Sequence, residues 1–339
     1  MIYPTRHLVL FGIFMLISLN PVYAATEKQV VVYTALDQVF SEPILKEFED
    51  RYQIKVKAVY DIEAVKTTGL VNRLIAEQNN PHCDVFWNNE IMRTIALKRR
   101  NLLTPYVSPS SVDIPDQFKD QDGYWTGFAA RARVLVVNTR LVKEQNYPNS
   151  IDDLITDNWH GKGAMANPLF GTTSTHTAAL FASLGKEGAI NYLSAIQSNK
   201  VKIVDGNSVV RDMTASGEVL FGITDTDDVN VGIVAGMPIA MIVPDQEGEG
   251  TLVIPNTVAL VNNAPHLKEG KLLIDFLLSR EVEEKLAWSS SAQIPLRQGI
   301  QIPVGQLALE LIVALNVDYE EMADVMEESV EAVQTIFMR

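Results

Sequence analysis

Hydrophobic and polar positions along this chain switch repeatedly between two periods, and the switches outline its elements. Val30, Val31, Val32 and Tyr33 form a β-branched run that reads as a buried strand. A helical pattern over 41–52 follows, with Ile44, Leu45, Phe48 and Tyr52 on one face. Ile54, Val56, Ala58 and Tyr60 then alternate as a strand, and Val65, Leu70, Leu74 and Ile75 mark one side of a helix over 64–78. Beyond the breaker Asn79-Asn80-Pro81, residues 84–87 read as a short buried strand, and another helix leads to Asn101. Strands and helices in this alternation predict a mainly parallel sheet.

The alternation then starts again. Strands are predicted over 133–138, 163–166, 201–204 and 219–223, with helices over 174–183 and 209–216 between them. An extended apolar segment runs over 251–261, followed by helices over 268–278 and 280–288. Two amphipathic helices with acidic outer faces, over 304–315 and 319–337, are expected to pack against a lobe. No Pro/Gly/Ser-rich linker separates the two blocks, so the chain is expected to cross between lobes on strands, at 133–138 and 251–261. The predicted fold class is α/β, with two lobes, two crossovers forming a hinge, and a cleft between. Lobe 1 takes 25–132 and 262–339; lobe 2 takes 139–250.

The amino terminus alters this picture. Arg6 and His7 precede an apolar run over 8–19, and Val22 and Ala24 occupy the −3 and −1 positions of a small-residue cleavage pattern. Residues 1–24 therefore read as a signal peptide cut between Ala24 and Ala25, because the run is shorter than the roughly 20 residues a membrane-spanning helix needs. The only cysteine is Cys83, so no intramolecular disulfide forms and no lipid-accepting cysteine stands at the cleavage site. A non-lipidated exported protein points to a periplasm. Cys83 itself reads as a small buried residue at the start of a strand.

At 339 residues the chain is long enough for about two domains, and 47% hydrophobic with 21% charged residues excludes a disordered chain. Its net charge of −14 (28 basic, 42 acidic) gives no general attraction to nucleic acid or an anionic bilayer, so any anion must be held by a local site. The nucleophile elbow GxSxG, the zinc motif HExxH, the P-loop and GxGxxG after a strand are all missing. Polar strand-to-helix turns stand out instead, at 34–38, 87–90, 171–174, 206–208 and 224–228. Any one of them could be a simple helix cap. Gly171-Thr172-Thr173-Ser174 and Asn207-Ser208 together look like a cradle for a phosphate, phosphonate or carboxylate, since helix amino termini present free N–H groups.

The segments VVVYTALD (30–37), CDVFWNNE (83–90), ARARVLVVNTRLV (130–142), NPLFGTTSTH (167–176), GNSVV (206–210), GEVLFGITDTDD (217–228) and EGKLLIDFLLSREVEEKLA (269–287) resemble a periplasmic solute-binding protein of ABC importers. The branch they are similar to includes ferric-iron-binding proteins and binding proteins for phosphorylated or phosphonate solutes. That resemblance implies a type II periplasmic-binding fold that closes on its ligand. It implies no enzyme activity and no cofactor, and as partners an ABC permease in the inner membrane and a small anionic ligand, with the protein a monomer.

Where ferric-binding relatives carry a tyrosine pair, this chain has Thr226-Asp227; at their first-turn histidine it has Asp37, and at their glutamate Asn89 beside Glu90. The anion shelf is retained in kind at Gly171, Thr172, Thr173, Asn207 and Ser208. The expected ligand is therefore a small organic anion rather than bare iron. Asp37, Asp227 and Asp228 would face its hydroxyl or amino groups, Arg131 or Arg133 would pair with the anion, and Thr34, Asn89, Glu90 and Thr226 would complete the contacts. Asp225, Asp227 and Asp228 also read as helix-capping acids, and the two arginines as hinge salt bridges. Trp87 is either a stacking wall or core. Other readings are a metal binder using Asp37, Glu90, Asp227 and Asp228 with a synergistic anion, a periplasmic enzyme on this fold, and the ligand-sensing subunit of a sensor kinase.

Overall fold

The computed structural model describes Met1 and residues 28–61 and 68–338; the predicted signal peptide and the first turn of the helix expected over 64–78 lie outside the described residues. The first half builds β1 (Gln29–Thr34), α1 (Gln38–Tyr52), β2 (Lys55–Tyr60), α2 (Thr68–Ala76), β3 (Val85–Asn88), α3 (Met92–Arg99) and the short β4 (Leu103–Thr104). β1 lies between β2 and β3, parallel to both, as expected where helical crossovers join successive strands. Cys83 is buried just before β3, and Trp87 within it is fully buried in the core.

β5 (Thr126–Asn138) is the long crossing strand, and all thirteen of its residues are buried. Its first part runs antiparallel to β10 (Val253–Val261) as far as Ala132, and from Arg133 its partner becomes β8 (Phe221–Asp225). The hand-over from one half to the other thus falls between two consecutive residues. Sequence reading starts this crossing at 133; the strand begins seven residues earlier because 126–132 is paired with β10. A bulge interrupts the ladder opposite Ile254 and Asn256, where Ala129 has a positive φ of 44°. The buried carboxylate of Glu283 accepts the Ala129 N–H at 2.9 Å, and Asn256 donates to the Ala129 carbonyl, so the bulge is fixed by side chains.

The second half adds β6 (Gly163–Ala166), α4 (Gly171–Ser198), β7 (Lys202–Val204), α5 (Asn207–Ser216), α6 (Thr226–Val234) and β9 (Ile239–Ile242). α4 contains two helical stretches meeting at Gly185, whose φ of 70° breaks the helix. Among the described residues the strands order as β2-β1-β3-β10-β5-β8-β6-β7, with β4 on β10 and β9 on β5. α7 (Leu267–Leu277) and α8 (Arg280–Trp288) return to the first half.

The tail departs from expectation. Residues 304–315, predicted as a helix, are irregular apart from one 3₁₀ turn at Leu309–Leu311. Their backbone groups are used elsewhere: Leu315 N–H donates to the Thr251 carbonyl at 2.9 Å, and Thr251 N–H to the Val313 carbonyl at 2.8 Å. The apolar spacing there serves an extended segment pinned beside the start of β10. The stretch 319–337 is two helices, α9 (Tyr319–Asp324) and α10 (Met326–Phe337). α9 is tied to α3 through Lys98 and Arg99 on Glu320, whereas α10 packs on α4, placing Val333 in the second lobe's core. The sequence expectation groups all of 262–339 with the first lobe; α10 packs on α4.

Candidate functional site

Three helices of the second half start at one cleft, and none has a side-chain cap. α4 follows Phe170, α5 follows Gly206 and α6 follows Asp225. A phenylalanine or a glycine at the N-cap has no side-chain acceptor to offer, so the first-turn amides of α4 and α5 keep their donors for something else. Gly171 enters α4 with a φ of 53°, a conformation that costs other residues strain, although nothing would crowd an added Cβ. Gly171, Thr172, Thr173, Asn207 and Ser208 all border this cleft.

Two arginines of β5 behave differently. Arg131 lines the cleft while only 3% exposed. One of its terminal nitrogens donates to the Asn89 carbonyl, another lies 3.4 Å from Asp227 Oδ2, and Nε has no partner among the described residues. Burial opposes its charge, but Asp227, Asp225, Asp37 and Asp228 outweigh that and raise its pKa. Arg133, 1% exposed, sits behind the helix starts instead of lining the cleft. Its Nη1 donates to Asp225 Oδ1 at 2.6 Å, and it also reaches Thr172, Thr173, Asn207 and His176. Burial pushes the Asp225 carboxyl up, yet Arg133, Arg131 and the Thr172 hydrogen bond leave it below the usual carboxylate range. Burial and Arg133 push His176 down to about 3, so its imidazole is neutral.

Of the residues singled out in sequence, Asp37, Asn89, Gly171, Thr172, Thr173, Asn207, Ser208, Asp227 and Asp228 border one cleft. Four do not. Thr34 turns inward to accept the Leu36 N–H at 3.2 Å. Glu90 caps α3, accepting the Met92 and Arg93 N–H groups at 2.6 and 3.0 Å, and takes the Thr175 hydroxyl of α4 at 3.0 Å. Thr226 accepts the Ala132 N–H at 3.2 Å, and Arg133 acts from behind. Gly206 of the turn 206–208 borders the cleft, and so do Ala166, Asn167, Phe170 and Asp205, whose only sequence signal as site residues is adjacency to the two polar turns. Trp87 is core.

Donor atoms of Asp225, Asp227 and Asp228 lie within 4.8 Å of one another, a spacing compatible with a cation. Asp225 is occupied, however, by Arg133, by the Thr172 hydroxyl at 2.5 Å and by Asn207 Nδ2 at 2.9 Å. Among the described residues bordering the cleft there is no tyrosine, histidine or cysteine.

Two α/β halves joined by long strands, with helix starts facing a cleft between them, define the type II periplasmic-binding architecture. Residues 84–303 match the bacterial extracellular solute-binding protein family, and the chain belongs to it. "Iron uptake protein A1" of Synechocystis is 22% identical over 288 residues, covering 81% of this chain and 78% of that protein. The crystal structure of iron-bound HitA from Pseudomonas aeruginosa superposes with a TM-score of 0.82 at 21% identity, covering 91% of this chain and 99% of that one. The periplasmic binding protein AfuA from Actinobacillus pleuropneumoniae, with exogenous fructose-6-phosphate bound, gives 0.81 at 23% identity, covering 92% and 99%. The family is one of solute-binding proteins that serve ABC importers, and its members are binders rather than enzymes.

Proposed function

We propose that this protein captures a small organic anion in the periplasm and delivers it to an ABC permease of the inner membrane. The observation that carries the reading is the pair of uncapped helix starts at Gly171 and Asn207 on one cleft that also holds the partly unpartnered Arg131. Helix amino termini and a buried guanidinium stabilise a phosphate, phosphonate or carboxylate far better than a neutral solute. Asp37, Asp227 and Asp228 on the same cleft suit hydroxyl or ammonium groups at the ligand's other end. Solute contacting both halves favours the closed form, because that form alone makes both sets of contacts. Export rests on the leader pattern of residues 1–24, which is removed in the mature chain.

Ferric iron held with a synergistic anion is the second reading. It is favoured by the acidic trio and by the iron named for HitA and for the Synechocystis relative. Mass spectrometry and elemental analysis of the protein as purified separate the two. A phosphorylated, phosphonate or carboxylate compound without stoichiometric iron supports the organic anion. Iron retained through dialysis, or tight capture from ferric citrate, establishes the second reading instead.

A further inference from the structure

We propose that a second cavity, between α4 and the segment leading into β10, binds an aliphatic ammonium compound with a neutral oxygen acceptor at its far end. Carboxylates stand at the mouth of this cavity, leucines form its walls, and Arg133 and His176 lie at its base. It shares no lining residue with the anion cleft.

The base offers donors. Arg133 Nε donates to His176 Nδ1 at 3.5 Å, so the neutral imidazole carries its hydrogen on Nε2, which has no partner among the described residues. Arg133 Nη1 shares its two hydrogens among Asp225, Thr172 and Asn207, whereas Nη2 has only the Thr173 hydroxyl, at 3.4 Å, for its two. Both side chains are more than nine-tenths buried, so a spare hydrogen on each is costly unless something accepts it. The guanidinium charge is already matched by Asp225 at 2.6 Å. A neutral carbonyl or hydroxyl oxygen therefore suits this base better than a carboxylate, which would add a second negative charge beside Asp225.

The mouth is of the opposite kind. Asp152, Asp245 and Glu249 border it, and no lysine or arginine pairs with any of them among the described residues. Desolvation first, and then the nearby Asp245 and Asp153, raise the pKa of Asp152, so a cation there would relieve like-charge crowding. The three carboxylates do not converge as those of Asp225, Asp227 and Asp228 do, which favours an ammonium group over a bare metal ion. Between mouth and base stand Leu180, Leu184, Leu252 and Leu315, a surface for a methylene chain. The far wall is preformed: Thr251 donates its hydroxyl to the Pro244 carbonyl at 2.5 Å, Asp245 N–H donates to Asn149 at 2.9 Å, and Leu315 N–H to Thr251 at 2.9 Å.

Titration calorimetry of the purified protein with 6-aminohexanamide near neutral pH tests this; the compound carries no anion for the cleft. Saturable binding is expected at millimolar concentration or below, with hexylammonium, which lacks the acceptor, and hexanamide, which lacks the cation, each weaker by about threefold or more. Leu184→Lys, at an exposed wall position, sets a cation at the mouth and is expected to weaken binding about tenfold or more with the thermal midpoint unchanged. Asp152→Asn with Glu249→Gln is expected to weaken 6-aminohexanamide by about threefold or more and to leave hexanamide unchanged. Inorganic sulfate, the probe of the anion cleft, is expected to shift the affinity by less than about threefold. The proposal is overturned by absence of saturable binding at about 10 mM, by hexylammonium or hexanamide binding as well as 6-aminohexanamide, or by binding that sulfate displaces or that folded Leu184→Lys retains in full.

Discussion

The two rims of the cleft are built from the same sequence material and put to opposite uses. On the first half, Glu90 caps α3, Asn88 donates to Glu90 at 3.0 Å and Thr34 closes its own turn, while Asp37 and Asn89 border the cleft. On the second half, α4 and α5 begin at Phe170 and Gly206, which cap nothing, and the hydroxyls and amide that could have served are bound to Arg133. A satisfied helix start is architecture, and an unsatisfied one facing a cleft is a binding surface. The first rim is mostly satisfied by its own side chains, whereas the second presents two helix starts without a side-chain cap.

This contrast can be broken at several points. The largest effect is expected at the buried charge behind the second rim. Asp225→Ala leaves Arg133 unpaired and should cost about 3–5 kcal/mol, read as a lowered denaturant midpoint. Acid should also act there. His176 titrates near 3 when folded and near its ordinary value of 6.5 when unfolded, so the unfolded chain binds the extra proton between them. Stability is accordingly expected to fall as pH drops from about 6.5 toward 3, by up to about 1.4 kcal/mol per pH unit from this group, and His176→Gln to flatten that slope. Gly171→Ala, forced into a left-handed conformation, should cost about 1–2 kcal/mol and also weaken binding, since it shifts the amides that meet the ligand. Glu90→Ala should cost a similar amount, about 1–2 kcal/mol, through the lost cap, but change sulfate affinity by less than about threefold. Equal losses of affinity from the last two variants would erase the distinction between the rims. The smallest effect is expected for Ser208→Ala, which removes one hydroxyl while leaving the amide, and should weaken sulfate by no more than about tenfold in titration calorimetry.

Much of the architecture was legible in the chain because burial on both faces writes continuous apolar runs, as in β1, β3 and β10. The misreadings have physical causes. The first seven residues of β5 contain Ala129, Ala130 and Ala132, weak strand formers placed there by a bulge and by pairing with β10, neither of which leaves a local pattern. The segment 304–315 has helical spacing, yet its hydrogen bonds go to the start of β10. Within the site, Gly171 to Thr173 and Asn207-Ser208 announced themselves by composition. Glu90 did not reveal its task, because an acid before a helix reads the same whether it caps or binds. Arg131 and Arg133 stand two residues apart and both face the aspartate cluster, but Arg131 borders the cleft whereas Arg133 is covered by the starts of α4 and α5, a difference their spacing does not reveal.

The lone cysteine has a practical consequence. Cys83 is fully buried before β3, and burial above all pushes its thiol well above the usual range, so the reactive thiolate is scarce. Thiol-directed dyes should pass over the native protein and attach only where a second cysteine is introduced. An environment-sensitive fluorophore placed on the rim of either half would then report changes at the cleft directly. The fold thus arrives as a ready scaffold for a reagentless optical sensor of whatever solute it carries.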